Sequence, residues 1–295
     1  MPLLDKLRKL YGVGPVCSEL HIAPSTYYHC QQQRHHPDKR SAHAQRDDWL
    51  KREIQRVYDE NHQVYGVRKV WRQLLREGIR VARCTVARLM AVMGLAGVLR
   101  GKKVRTTVSR KTVAAGDRVN RQCVAERPDQ LWVADFTYVS TWQGFVYVAF
   151  IIDVFAGYIV GWRVSSSMET TFVLDALEQA LWARRPSGTI HHSDKGSQYV
   201  SLAYTERLKE AKLLASTGST GDSYDNAMAE SINGLYKAEV IHRKSWKNRA
   251  EVELVTLTWV DWYNNRCLLV RLGHIPPSEA EKAYYASIGN DELAA

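Results

Sequence analysis

Cysteine is sparse in this 295-residue chain: five residues, at positions 17, 30, 84, 123 and 267, with no Cys-x-x-Cys pair. Their odd number and wide spacing argue against a disulfide framework and fit a reducing cytoplasm. The histidine pairs His35-His36 and His191-His192 have no cysteine pair at zinc-finger spacing, so a structural zinc is not expected. Long apolar runs are also missing. The longest, Phe145–Trp162, is broken by Asp153 and two glycines, so no membrane anchor is expected. Met1–Leu10 mixes charged and apolar residues and lacks the apolar core of a signal peptide. No Ser-His-Asp grouping or reactive-cysteine motif is recognisable, which leaves covalent hydrolase chemistry without its parts.

What is present is charge, unevenly spread. Residues 1–120 carry 24 Lys/Arg against 10 Asp/Glu, whereas residues 121–295 carry 17 against 21. A front half with a net charge of +14 joined to a back half of −4 suits a polyanionic partner. With no membrane segment in view, nucleic acid is the better match. Apolar residues make up 45% of the chain, enough for one large domain and one or two small ones.

The front half reads as helical. Val16–Leu20 and Ser25–Cys30 are short helical candidates, and the polar stretch 31–46 reads as a linker. Within 47–98 three helices are expected. Trp49, Leu50, Ile54, Val57 and Tyr58 share one face of the first. Val67, Val70, Trp71, Leu74 and Leu75 share a face of the second, and Val86, Leu89, Met90 and Met93 line the third. The short turn Glu77–Val81, which contains Gly78, gives the helix-turn-helix pattern. Arg83, Thr85 and Arg88 then point outward near the start of the third helix, where a recognition helix touches bases. A three-helix bundle with a solvated basic face is the alternative. Residues 99–125 are a basic tether that either tracks a phosphate backbone or is a solvated linker.

From residue 128 the pattern turns to strands. Gln130–Thr141, Gly144–Asp153 and Gly157–Ser165 read as three strands, the last two joined by the turn Val154–Gly157. Met168–Arg184 is an amphipathic helix, Thr189–His192 a strand, Tyr199–Ala211 a helix, Leu213–Ser216 a strand, and Ala227–Ile241 a helix. Residues 246–286 add helical material. That order predicts a mixed five-stranded sheet with helices on its faces.

Three acids stand out on this layout. Asp135 interrupts the apolar run Leu131–Val139, Asp194 ends Thr189–Asp194, and Glu230, separated from Asp194 by 35 residues, lies in the first turns of a helix. Taken singly, each has an ordinary reading: a strand-edge acid, a turn cap, an exposed helix residue. Together they fall at one edge of the predicted sheet. Carboxylates so placed repel one another unless a cation compensates them. Magnesium is a hard ion that prefers oxygen ligands, and two such ions about 3.5–4 Å apart form a phosphoryl-transfer site that needs no nucleophilic side chain. Lys237 follows Glu230 by two helical turns and shares its face. Ser193 and Asn226 flank the acids and either orient them or cap turns. Asp153 reads best as a turn acid.

These residues resemble a known family. Trp132-Val-Ala-Asp-Phe-Thr-Tyr138, His192-Ser-Asp-Lys-Gly-Ser-Gln-Tyr199, Asp225-Asn-Ala-Met-Ala-Glu-Ser231 and Trp262-Tyr-Asn-Asn-Arg266 resemble the second-reading-frame transposase of IS3-family insertion sequences. This family carries the DD(35)E signature of the retroviral-integrase superfamily. Tyr65-Gly-Val-Arg68 and Arg88–Leu95 resemble the helix-turn-helix that precedes its core, which adds Arg68 and Lys69 to the candidate DNA contacts. The resemblance implies an α/β, RNase H-like catalytic core over 126–286, after a helical segment (1–46), a DNA-binding region (47–98) and a basic linker (99–125), with a tail at 287–295. It implies two Mg²⁺, replaceable by Mn²⁺, on Asp135, Asp194 and Glu230. It implies cleavage at the element's terminal repeats and transfer of the freed 3′-hydroxyl into target DNA, with Lys237 near the scissile phosphate. It also implies a homo-oligomer on DNA, an upstream-frame partner or fusion, and a cytoplasmic, nucleoid-associated location. The tail departs from the family's Asn-x-x-Arg-x-His pattern: counted from Asn264, Cys267 and Leu269 occupy the Arg and His places. The alternatives are a DNA-binding regulator or partly degraded transposase with an inert core, and an RNase H-like nuclease without strand transfer.

Overall fold

The computed structural model describes residues 2–36, 40–99, 124–194, 196–217 and 227–294. Asn226 and most of the basic tether lie outside the described residues.

The front of the chain is three helices, α1 (Pro2–Tyr11), α2 (Val13–Glu19) and α3 (Pro24–His35). They close on a small cluster of Leu4, Val16, Cys17 and Tyr27. Helix α3 begins on Pro24, whose fixed φ suits a first turn, and runs on to His35. The polar stretch read as linker is therefore partly helical, because its glutamines and arginine are good helix formers.

Next come α4 (Ala42–Glu60), α5 (Val67–Arg76) and α6 (Arg83–Val92). Ser41 caps α4 by accepting the Ala44 N–H at 3.3 Å. Leu50, Ile54, Val57, Val70, Leu74, Val86, Leu89 and Met90 are buried between the three helices, as their spacing predicts. Trp49 is not: it is exposed, one position off the buried stripe of α4. After α5, Gly78 takes φ +81°, and Gly78 and Ile79 donate back to Leu75 and Leu74 at 3.1 and 2.9 Å. Such a reversal favours glycine, since a Cβ strains the left-handed region.

The sheet has the order β3-β2-β1-β4-β5, built from β1 (Leu131–Thr141), β2 (Gly144–Asp153), β3 (Tyr158–Ser165), β4 (Ile190–Ser193) and β5 (Leu214–Thr217). The first three strands are antiparallel, while β4 and β5 run parallel to β1. Side chains alternate along β1. Trp132 and Ala134 face α7 (Thr170–Arg184) and α8 (Leu202–Glu210) with Phe172, Ala176 and Leu177. Leu131 and Val133 face α9 (Ala227–Glu239) and α10 (Arg249–Asn265) with Ile232, Tyr236 and Trp259. Both faces are covered, so β1 reads as a continuous apolar run.

The second cluster extends into the front of the chain. Residues of α4 to α6 and of the sheet's α9 face belong to one contiguous buried group. Polar ties cross the same seam. Trp262 Nε1 donates to Asn61 Oδ1 at 3.1 Å, and the Tyr65 hydroxyl accepts from Leu268 N at 2.8 Å. The final helix, α11 (Pro277–Ala294), returns to the core through Glu281, which accepts two hydrogen bonds from Arg184 at 2.8 and 2.9 Å. Asp153 is fully buried and accepts from Asp129 N and Phe155 N at 2.6 and 2.9 Å, the turn role its position predicts. No helix among the described residues is long and apolar enough to cross a membrane.

Candidate active site

The site forms where β4 stops. Ser193, buried at the end of β4, pairs with Ala134 of β1, so the next residues along the two parallel strands are Asp194 and Asp135. Parallel pairing in this register sets the two acids side by side. Asp135 points to the α9 face, where its Oδ1 accepts from Phe136 N at 2.8 Å and its Oδ2 from Asn233 Nδ2 at 2.9 Å. Asp194 accepts from Gly196 N at 3.0 Å, which turns the chain away from the strand. Glu230 occupies the first turn of α9.

Electrostatics link the three. Burial, then the neighbouring Asp194, and further Glu230, push the Asp135 carboxyl up to about 7. Burial also raises Asp194, against the pull of the Gly196 N–H. Asp135 is half-buried and Asp194 exposed by surface area, but both sit in a dense surround that hydrates a lone charge poorly. Lys237, two turns along α9, is half-buried. Burial lowers its pKa and the nearby Asp135 charge opposes that shift. Its Nζ lies 4.8 Å from the centre of the Tyr138 ring.

Two further residues belong to this constellation and were not singled out from the sequence. Asn233 is buried; one end of its amide holds Asp135 and its Oδ1 has no hydrogen-bond partner among the described residues. The signal was available, since Asn233 falls three residues after Glu230 on the face shared with Lys237. The Tyr199 hydroxyl is likewise buried without a partner among the described residues, in electrostatic range of Asp135 and Asp194. Periodicity alone makes it an ordinary core aromatic.

The candidate donors are all oxygens, the set a hard divalent cation prefers. Among the described residues, however, no three His, Cys, Asp or Glu side chains are gathered closely enough to encage an ion. The acids share a field without meeting at one point.

Comparison with known proteins decides the family. One Integrase core domain model matches residues 125–223, a second matches residues 212–277, and an HTH-like domain model matches residues 45–103. The chain is 94% identical, over the whole of both sequences, to the transposase for insertion sequence element IS629 of Shigella sonnei. The chain belongs to the insertion-sequence transposases. It is also 53% identical to a putative transposase for IS986/IS6110 of Mycobacterium tuberculosis, over 90% of this chain and 96% of that relative. Among solved structures, the HTLV-2 integrase catalytic core domain in complex with magnesium matches at 15% identity and a TM-score of 0.36, over 48% of this chain and 89% of that one. A likeness so slight adds nothing to the family match. The transposase is thus a polynucleotidyl-transferase-type enzyme with an integrase core, as its motifs imply.

The remaining candidates lie on the front helices of the transposase. Arg68 and Arg83 are exposed at the starts of α5 and α6, and Thr85 is half-buried. Lys69 turns inward, its Nζ 3.5 Å from Cys267 Sγ and 5.0 Å from the centre of the Tyr65 ring. Arg88 donates to both Asp47 carboxylate oxygens at 2.9 Å. Cys267, one of the two departures from the family tail, is buried in this seam between the front helices and the core, away from the acids.

Proposed function

We propose that Asp135, Asp194 and Glu230 are the catalytic acids of this transposase and that together they hold two Mg²⁺, with Mn²⁺ as a substitute. The observation that carries this reading is the register of β1 and β4, which puts Asp135 beside Asp194 with Glu230 raising the charge density there. When bound, the ions supply Lewis-acid activation of the attacking and leaving oxygens. The chain's own residues do the rest. Asn233 fixes one Asp135 oxygen, and its free amide oxygen is a further acceptor within the site. Lys237 faces the acids from α9 and is placed to hold a phosphate of the cleaved strand. Ser193 and Asn226 support the two acids that they flank.

The reaction is cleavage at the element ends, followed by attack of the freed 3′-hydroxyl on target DNA. In that attack the hydroxyl oxygen bonds to phosphorus, the leaving 3′-oxygen departs, and the number of phosphodiester bonds is conserved. Exposed Arg68 and Arg83, with Thr85 and Arg88, present the front helices to the terminal repeat. Lys69 contributes through the seam it helps to close. Pairing of two ends implies a homo-oligomer on DNA, together with an upstream-frame partner or fusion, working on chromosomal DNA in the cytoplasm.

The test is a joining assay with Mg²⁺ on a fragment bearing the terminal repeats. Asp194→Asn is expected to abolish joining and to leave DNA binding largely intact. Calorimetric titration with Mn²⁺ is expected to show two sites in the DNA complex and fewer in the variant. Retained joining by Asp194→Asn would sink the assignment, and sequence-independent hydrolysis without joining would favour a nuclease.

A further inference from the structure

Past Ala134, β1 loses its β4 neighbour, and past Tyr147, the partner of Tyr138, β2 loses β3, so the tip of their hairpin extends beyond the sheet. The fold leaves three large rings uncovered there: Tyr138 is 47% exposed, Phe145 58% and Trp142, in the turn, 71%. A single exposed aromatic needs no explanation. Here two of the rings touch, the turn that carries the third is held by hydrogen bonds, and Tyr138 adjoins Lys237 of the site. Tyr138 and Phe145 pack edge to face with centroids 5.7 Å apart. The turn is anchored, since Trp142 N donates to Trp246 O at 3.0 Å and Thr141 Oγ1 to Gly144 O at 2.7 Å. The ridge begins at Lys237, whose Nζ lies 4.8 Å from the centre of the Tyr138 ring. At the other end Lys244, paired with Glu251, lies 4.3 Å from the centre of the ring of Trp246, whose backbone carbonyl holds the turn, and Lys247 is exposed nearby in the chain.

We propose that this hairpin is a stacking platform for unpaired nucleobases of the DNA end being processed. The inference rests on the reading of Asp135, Asp194 and Glu230 as the site of phosphoryl transfer. Aromatic rings interleaved with cations are the chemistry of single-strand binding: bases stack on the rings while lysines hold the phosphates. Within a duplex the base faces are hidden in the stack, so rings of this kind gain little from paired DNA. Lysines at both ends of the ridge favour a polyanion over the apolar face of a second copy. Strand geometry fixes the reach. At about 3.4 Å per residue, Tyr138 lies about 10 Å from Asp135 along β1, and Trp142 in the turn about 24 Å. Measured along the duplex from which the end opens, at about 3.4 Å per nucleotide, the platform lies roughly three to seven positions from the scissile phosphate.

The experiment uses the full chain with unreactive Ca²⁺ and two terminal-repeat duplexes. One is fully paired; the other is mismatched in that window and carries 2-aminopurine there. The wild type is expected to prefer the mismatched end and to quench the probe. Trp142→Ala is expected to weaken that preference about 5- to 150-fold, the span of base–aromatic stacking measured by alanine substitution. Trp142→Phe should restore most of the preference. Because Trp142 is mostly exposed, folding is expected to survive both changes. Preference and quenching left intact in Trp142→Ala would overturn the platform. So would a preference left intact while the variant sediments as a smaller species, which would make the ridge a protein interface. The two readings separate cleanly. No preference in a wild type whose joining needs Asp194 defeats the platform alone. A Trp142-dependent preference in a protein whose joining survives Asp194→Asn defeats the metal site alone.

Discussion

Asp135 shows what the site costs the fold. Its carboxyl is raised to about 7 by burial and by the charges of Asp194 and Glu230. A raised carboxyl binds more protons in the folded than in the unfolded state between about pH 4 and pH 7. Its contribution to stability is therefore present on the acid side and is lost as pH rises through about 7. Asp135→Asn should accordingly stabilise the cation-free protein at pH 8, by on the order of 2 kcal/mol once partial exposure is allowed for. Thermal melts at pH 6 and pH 8 test this: the variant should lose part of the wild-type decline. Only part should go, because burial raises Asp153 in the same direction. Mg²⁺ should raise the wild-type Tm at pH 8 and leave the variant's unmoved, since binding only to the folded site stabilises by mass action. Asn233 gives a second test at this scale. Asn233→Ala frees an Asp135 oxygen and should lower the joining rate about 10- to 100-fold, the usual effect of removing a residue that orients a ligand. Affinity for the terminal repeat should hold, and equal losses in binding and joining would argue for a general structural role.

At the scale of elements, local pattern carried far in the sheet. Alternation and turn residues locate each strand to within one residue, because both faces of β1 and β2 are covered and their apolar runs are unmistakable. What local pattern cannot carry is pairing. That β4 stops beside Ala134, and so sets Asp194 next to Asp135, is a long-range register that no window of sequence contains. The bond from Asn233 to Asp135, 98 residues away, is of the same kind, and only the place of Asn233 on the helix face of Glu230 and Lys237 signals it locally. Helix α1 lies within the segment that reads as helical but is not delimited there; Leu4 and Leu7 pack on the small cluster with Val16, Cys17 and Tyr27, and Asp5 accepts from the Tyr27 hydroxyl at 2.9 Å. The packing of β3 on α7 makes a sharp prediction. A Cβ on Gly161 would lie 2.2 Å from Ala176 O, a backbone atom that cannot swing aside. Gly161→Ala should destabilise by roughly 3 kcal/mol, the upper end of the usual overpacking cost. A melt unchanged from wild type would show that α7 can shift.

Over the whole molecule, the charge asymmetry becomes a mechanical problem. The basic front helices suit a polyanion, but the acids proposed to act on it sit in a mildly acidic core. Binding on one half is useful to the other only if the two are held in a fixed relation. Tyr65 does much of this: its hydroxyl donates to Arg266 O at 3.2 Å and accepts from Leu268 N at 2.8 Å, within a buried cluster common to both halves. Tyr65→Phe keeps the packing and removes both hydrogen bonds, leaving a buried N–H unpaired at a cost of about 1–3 kcal/mol. The phosphate contacts proposed for the front helices are untouched by this change. Affinity for the terminal repeat should therefore stay near the wild-type value, with the same steep fall with salt that counterion release imposes. The joining rate should drop, because misplacement of a bound end by about 1 Å is enough to cost on the order of 100-fold. Single-turnover joining at saturating DNA, set beside equilibrium binding across a salt series, separates the two effects. A variant that binds weakly yet joins at full rate once saturated would mean that the seam shapes the DNA-binding surface and leaves the alignment of the two halves to other contacts.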